Sequence, residues 1–188
     1  MTSDVVPVRI LVVCTGNIGR SPTAQFLLAD RLPAQFDVSS AGTRAEVGVP
    51  MEGAMVRRLA EAGVPHAGHR SRQLTAELVQ AHDVVVTMTR EHRREVLRLV
   101  PSAVRRTFTL PELARALGAA GRRPHAPGDP RELIALAAAH RGTPARADQD
   151  DIEDPIGRGE AAYTRAYRAI DGATAAVARA LTAQAPHR

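Results

Sequence analysis

The feature that most restricts this chain is a short β-branched run, Arg9 to Val13 (RILVV), that breaks abruptly into CTGNIGRSP. Apolar residues then return at helical spacing from Thr23 to Leu32, at Ala24, Leu27, Leu28 and Leu32. Strand, loop and helix in that order predict the first unit of an α/β fold. The pattern repeats. Phe36 to Ala41 reads as a strand closed by Gly42, Met51 to Ala62 as a helix ending at Gly63, and Asp83 to Met88 as a buried strand. A helix from Arg90 to Leu99 is stopped by Pro101, a fourth strand covers Arg105 to Phe108, and a long helix runs from Glu160 to Ala183. Strands alternating with helices require a parallel sheet, and right-handed crossovers place helices on both of its faces. The expected fold is a doubly wound α/β domain on a four-stranded parallel sheet, with its site at the carboxyl ends of the strands, where Cys14 falls.

One stretch does not fit a minimal βα unit. Between Pro111 and Asp151 lie two helical pieces, Glu112 to Leu117 and Arg131 to His140, separated by GAAGRRPHAPGDP. The chain of 188 residues is therefore expected to be one domain over 1–188 carrying a helical insertion at 111–151.

Composition removes several classes. A single cysteine among 188 residues cannot form an intrachain disulfide, a Cys-rich zinc cluster or an internal dithiol relay. The histidines have no ligand spacing, so neither a metal nor a cofactor is expected. The apolar run near Ile10 is too short for a signal core or a membrane span, and a cytoplasmic location is expected without a membrane partner. The formal charge of +5 rests on 25 basic residues that are all arginine. They are scattered as singles and pairs with no aromatics between them, which describes a solvated surface and predicts no nucleic-acid partner.

The residues that carry chemistry begin at Cys14, in Cys14-Thr15-Gly16-Asn17-Ile18-Gly19-Arg20-Ser21-Pro22. Five residues between a cysteine and an arginine let the loop curl with its N–H groups inward, and Pro22 suits an early turn of a helix whose positive end faces the same point. Such a cradle suits a phosphate or sulfate anion, and its field favours the nucleophilic thiolate of Cys14. Arg20 adds a planar fork for two phosphoryl oxygens, and Ser21 can donate its hydroxyl to the sulfur. A thiophosphate intermediate then needs an acid that protonates the departing oxygen and afterwards activates water. Asp154, in DIEDPIG, is the candidate: Pro155 restricts its backbone, and the acidic neighbours Asp148, Asp150, Asp151 and Glu153 are expected to help it hold a proton.

With these residues in place, the sequence resembles the low-molecular-weight protein tyrosine phosphatases, whose signature is a C-x-G-N-x-C-R-S-P loop followed, near the C-terminus, by an Asp-Pro pair. Ser40-Ala41-Gly42-Thr43, His69, Ser71-Arg72-Gln73-Leu74 and the stretch from Asp83 through His92 extend the likeness. The resemblance implies Cys14 as nucleophile, Arg20 as phosphate clamp, Ser21 as thiolate donor and Asp154 as general acid. Thr15, Gly16, Asn17, Ile18, Gly19, Ser21 and Ile156 would contact substrate, and Asn17 would brace the loop with Ser40 and His69. The substrate implied is phosphotyrosine on proteins, or another phosphomonoester.

Three positions depart from that pattern. Gly19 stands where the family usually has a second cysteine, so the disulfide that shields an oxidised nucleophile cannot form. Ile156 replaces the usual Tyr after Asp-Pro, and Ala45 lies where many members place an aromatic wall, which weakens stacking on a phenyl ring. The inserted segment is a candidate to supply a substitute wall.

Competing activities are separated by single residues. The resemblance extends to phosphoarginine phosphatases, which typically carry Thr where Ile18 stands, and to arsenate reductases, which commonly have Gln where Pro22 stands and use further cysteines. A phosphate-binding regulatory module without catalysis would need the cradle and Arg20 but neither Cys14 nor Asp154.

Overall fold

The computed structural model describes residues 6–123, 128–141 and 147–183. Part of the Gly/Pro-rich linker, His125 and the side chain of Asp148 lie outside the described residues. The strands are β1 (Val8–Cys14), β2 (Phe36–Gly42), β3 (Val84–Thr87) and β4 (Thr107–Thr109). They form one parallel sheet in the order β2-β1-β3-β4. The helices are α1 (Arg20–Arg31), α2 (Gly53–Glu61), α3 (Ala76–Gln80), α4 (Arg90–Leu99), α5 (Leu110–Gly121), α6 (Pro130–Ala139) and α7 (Gly159–Thr182), with 3-10 turns at Pro101–Arg106 and Ala147–Asp150.

The period-two alternation of β1 sorts its side chains between two cores. Val8, Ile10, Val12 and Cys14 join Val84, Val86 and Phe108 beneath α1, α2, α5, α6 and α7. Leu11 and Val13 join Ala41 and Val85 beneath α3 and α4, represented by Val79 and Val96. Helices thus cover both faces, which is why the central strands read as nearly unbroken apolar runs. The described parts of the 111–151 segment share the first core: Leu113 and Leu117 of α5 and Leu133 of α6 are fully buried there. Arg131 ties the start of α6 to the Pro7 carbonyl and to Asp83. Arg141, just past its end, donates to the Thr107 and Val104 carbonyls and lies over the Phe108 ring at 3.9 Å.

Helix α5 is longer at both ends than the expected Glu112 to Leu117, and two other boundaries differ for a physical reason. The fourth strand begins at Thr107 rather than Arg105, because Pro101–Arg106 winds into a 3-10 turn that buries Ala103 and is closed by Thr107 Oγ1 donating to the Ala103 carbonyl. Helix α1 begins at Arg20, three residues early, because the last turn of the loop is also the first turn of the helix.

Candidate active site

The carboxyl ends of β1 and β2 meet where Cys14 pairs with Gly42. A Cβ on Gly42 would stand 2.4 Å from the Thr15 carbonyl, so only glycine lets the two chains approach this closely. Residues 15–19 then curl between β1 and α1, and their carbonyls are spent outward. The Cys14 carbonyl accepts from Thr43 N, Thr15 from Arg44 N, Asn17 from His69 Nε2, Ile18 from Glu52 N and Gly19 from Thr23. In a trans peptide the N–H of the following residue points opposite to each carbonyl. The N–H groups of Thr15, Gly16, Ile18, Gly19 and Arg20 are therefore left to face the concave side, at the N-terminus of α1, which is an anion cradle.

The thiol sits at the floor of this cradle. Its Sγ lies 2.9 Å from Ser21 Oγ. Asn17 occupies one lone pair of that hydroxyl. Its Oδ1 accepts from the Arg72 N–H, so its Nδ2 faces Ser21 Oγ at 3.0 Å and Ser40 Oγ at 2.8 Å as donor to both. The Ser21 hydroxyl keeps its own proton to give to the sulfur once Cys14 is a thiolate, which has none to donate. Ser40 likewise passes its proton to Gln25 Oε1 at 2.6 Å. Asn17 itself is fully buried with φ of 56°, a left-handed conformation that Asn tolerates better than most residues. Burial holds the His69 imidazole below its ordinary range, so it is the neutral ring, through Nε2–H, that donates to the Asn17 carbonyl at 2.7 Å.

Arg20 is 5% exposed and spends its guanidinium on one segment. Nη1 donates to the Ile152 carbonyl at 3.0 Å, and Nη2 pairs with Asp154 Oδ2 at 2.5 Å. The acidic neighbours of Asp154 do not form a free negative cluster, contrary to the sequence expectation. Asp150 pairs with Arg115, Asp151 with Arg90, and Glu153 with Arg158 and Arg165. Scattered arginines, read in sequence as a solvated surface, neutralise these carboxylates one by one.

A cavity of about 280 Å³ is lined by Cys14, Thr15, Gly16, Ile18, Gly19, Arg20, Asp154 and Ile156. The structure thus brings together most residues singled out in sequence. Asn17, Ser21, Ser40 and His69 stand behind the loop and out of the cavity, where they hold it and its thiol. Ile18 and the half-exposed Ile156 supply aliphatic walls, and Ala45 does not line the cavity. Among the described residues of 111–151, none lines it. A larger hollow of about 550 Å³ between α5 and α7 holds none of the predicted site residues.

Sequence reasoning missed three contributors. Gln25 and Arg72 complete the Asn17 network, Arg72 also donating from Nε to the Ser40 carbonyl at 2.7 Å. His92, set aside in sequence only as a metal ligand, is buried with both ring nitrogens engaged: Nε2 lies 2.8 Å from Thr15 Oγ1 and Nδ1 lies 2.8 Å from Thr89 Oγ1. Burial first, and the Arg20 charge second, push its pKa down to about 4, so the ring is neutral at ordinary pH. The available signal was Thr89 as a helix N-cap three residues before it, which aims the first turn of α4 at the loop. Among the described residues, no group of three or more His, Cys, Asp or Glu could hold a metal ion, and no helix is long and apolar enough to cross a membrane.

A model of the family described as low molecular weight phosphotyrosine protein phosphatase matches residues 9–122. The chain belongs to this family. Over 104 residues, 55% of this chain and 71% of the relative, it is 41% identical to "Probable low molecular weight protein-tyrosine-phosphatase EpsP" of Ralstonia solanacearum. The structure of Vibrio vulnificus Wzb in complex with benzylphosphonate is similar with a TM-score of 0.68 at 28% identity, covering 92% of this chain and 97% of that one. The YwlE arginine phosphatase from Geobacillus stearothermophilus is similar with a TM-score of 0.73 at 29% identity, covering 94% of each chain.

Proposed function

We propose that the protein hydrolyses phosphotyrosine on proteins in two steps through a phosphocysteine at Cys14. The observation that carries this reading is one 280 Å³ cavity lined by a thiol, an arginine and a carboxyl group, with a serine hydroxyl 2.9 Å from the sulfur. In the first step the Cys14 thiolate attacks phosphorus while Arg20 and the loop N–H groups hold the equatorial oxygens. The P–S bond forms, the P–O ester bond breaks, and Asp154 delivers a proton to the departing phenolate oxygen. In the second, the Asp154 carboxylate takes a proton from water as it attacks phosphorus, the P–S bond breaks, and Ser21 stabilises the thiolate that leaves. Inorganic phosphate is released, and the same cradle would take sulfate. The catalytic unit is read as one domain with a helical insertion at 111–151.

The main competitor is phosphoarginine hydrolysis, named for the similar YwlE structure. The walls favour an aryl ester. Ile18 and Ile156 are aliphatic, and among the described residues Asp154, the proposed acid, is the one carboxylate lining the cavity, so a guanidinium would find no further carboxylate there. Benzylphosphonate, bound by the Vibrio relative, is an aryl-bearing phosphonate of the matching kind. Arsenate reduction would need a resolving thiol from outside, since Cys14 is the chain's single cysteine. A regulatory module would leave Asp154 and the Ser21 proton without purpose.

The test is steady-state hydrolysis of para-nitrophenyl phosphate, a phosphotyrosine peptide and phosphoarginine, with chelator present and Cys14→Ser in parallel. Cys14-dependent turnover preferring the phosphotyrosine peptide is expected. Preference for phosphoarginine would transfer the substrate class, and binding of phosphate without turnover would mark a regulatory module.

A further inference from the structure

The segment that carries Asp154 has no regular secondary structure from Asp151 to Pro155, so contacts from outside must set where its carboxylate points. Those contacts are concentrated just upstream. Asp151 Oδ1 accepts the Arg90 N–H at 2.7 Å, and the Arg90 side chain reaches the same carboxylate, Nη2 to Oδ2 at 3.2 Å. Arg90 is the first residue of α4, so Asp151 fills one of the N–H groups that a helix leaves open at its positive end. Thr89 caps the same turn from within by accepting the His92 N–H. The next residue continues the anchoring: Ile152 N donates to the Met88 carbonyl beyond β3 at 2.8 Å, its side chain is 2% exposed, and its carbonyl receives Arg20.

These bonds make a continuous course from α4 to the phosphate clamp. The N-terminus of α4 holds Asp151, the end of β3 holds Ile152, and two residues later Asp154 meets Arg20. Glu153 turns outward to Arg158 and Arg165 and takes no part. Both Asp151 and Arg90 are more than a third exposed, and a surface pair of this kind contributes little to global stability. Its consequence is local. Freed from α4, the segment would keep its anchor at Ile152 but lose the restraint that fixes its direction.

We propose that Asp151 is a positioning residue for the general acid, acting by docking the Asp154 segment on the N-terminus of α4. The proposal rests on Asp154 being the acid. Asp151 lies outside the cavity and touches no reacting atom; it fixes where the proton of Asp154 can be delivered. A misplaced acid slows departure of a poor leaving group and leaves an activated one nearly untouched, because the latter needs no proton.

The experiment measures kcat/KM, which reports the step that expels the leaving group, for 2,4-dinitrophenyl, para-nitrophenyl and phenyl phosphate. The proteins are wild type, Asp151→Ala, Asp151→Asn, Arg90→Ala and Asp154→Ala. Asp151→Ala should lower kcat/KM about tenfold for phenyl phosphate and less than about twofold for the dinitrophenyl ester. Asp151→Asn and Arg90→Ala, which each keep part of the dock, should fall between. Retained turnover of the dinitrophenyl ester shows that each variant is folded. Equal losses on all three esters in Asp151→Ala, or none, while Asp154→Ala shows the graded pattern, would overturn the positioning role and leave the acid in place. Absence of grading in Asp154→Ala itself would overturn the assignment of the acid.

Discussion

Arg20 and Asp154 face each other across the cavity as an ion pair, Nη2 to Oδ2 at 2.5 Å, so the phosphate clamp and the proposed acid hold one another when no anion is bound. A phosphoryl group must take over those N–H groups and return the carboxylate to its second task. Arg20 is buried, so its desolvated guanidinium needs an anionic partner in place of water. Substrate binding thus includes the exchange of one anion for another at the guanidinium.

Asp154→Ala is expected to bind inorganic phosphate more tightly even as it loses catalysis. The variant removes both the competitor for Arg20 and a negative charge beside the anion, and the two effects have the same sign. The inhibition constant for phosphate should fall about three- to tenfold, on the order of 1 kcal/mol. Competitive inhibition of para-nitrophenyl phosphate hydrolysis measures it. An unchanged or raised constant would show that the pair does not oppose anion binding.

Ser21→Ala should separate the two chemical steps. Asn17 Nδ2 holds the Ser21 hydroxyl 2.9 Å from Sγ, where it can donate to the thiolate that attacks and to the thiolate that leaves. It matters most when the thiolate must leave phosphorus, with no proton arriving from elsewhere. Breakdown of the phosphocysteine should slow by about 10- to 100-fold, and formation from an activated ester by less. Rapid-quench measurement should show a larger pre-steady-state burst than in wild type. Loss of the burst would place the effect on attack instead.

The strands and most helices were legible because each declares itself within a short window: RILVV and DVVVTM by β-branched runs, α4 and α7 by helical spacing between stops. The short α3 was not, since five residues with one fully buried side chain, Val79, leave no period to read. Cys14, Arg20 and Ser21 were legible because eight consecutive positions hold them in one loop. His92 and Thr15, 77 residues apart, and Arg20 and Asp154, 134 apart, meet only through the sheet order. Nor could sequence show that Asp150, Asp151 and Glu153 each face an arginine. Their negative run looked like a single field, and pairing across distant elements divides it.

The pH dependence of stability should carry the mark of His92. The fold keeps this ring neutral, its pKa down at about 4 against 6.5 unperturbed, through burial beside Arg20. Below 6.5 the unfolded chain binds a proton that the folded chain refuses, so stability falls as pH drops from about 6.5 towards about 4 and then levels off. The loss assignable to His92 is on the order of 3 kcal/mol. His69 and His82, also lowered by burial, add in the same direction. Urea denaturation at several pH values should show a shallower slope over this window in His92→Gln than in wild type. Parallel slopes would mean that the ring is protonated in the folded protein.

Oxidation offers the last test, and its argument is steric. Cys14 is the sole cysteine of the chain, so a sulfenic acid formed there by peroxide has no internal thiol to condense with. Excess peroxide should carry that sulfenic acid on to the sulfinic and sulfonic acids, inactivating the enzyme beyond recovery by dithiothreitol, unless glutathione is present to form a mixed disulfide. Gly19 marks where protection could be restored. A Cβ at Gly19 meets no heavy atom within 4 Å, and its φ of −119° is open to any L residue, so Gly19→Cys should fold with the loop intact. That variant should recover most of its activity on reduction after the same treatment, with intact-mass analysis showing a loss of two hydrogens in place of added oxygen. If Gly19→Cys is as irreversibly inactivated as wild type, the two sulfurs do not meet in the oxidised loop, and some feature other than residue 19 governs its reversibility.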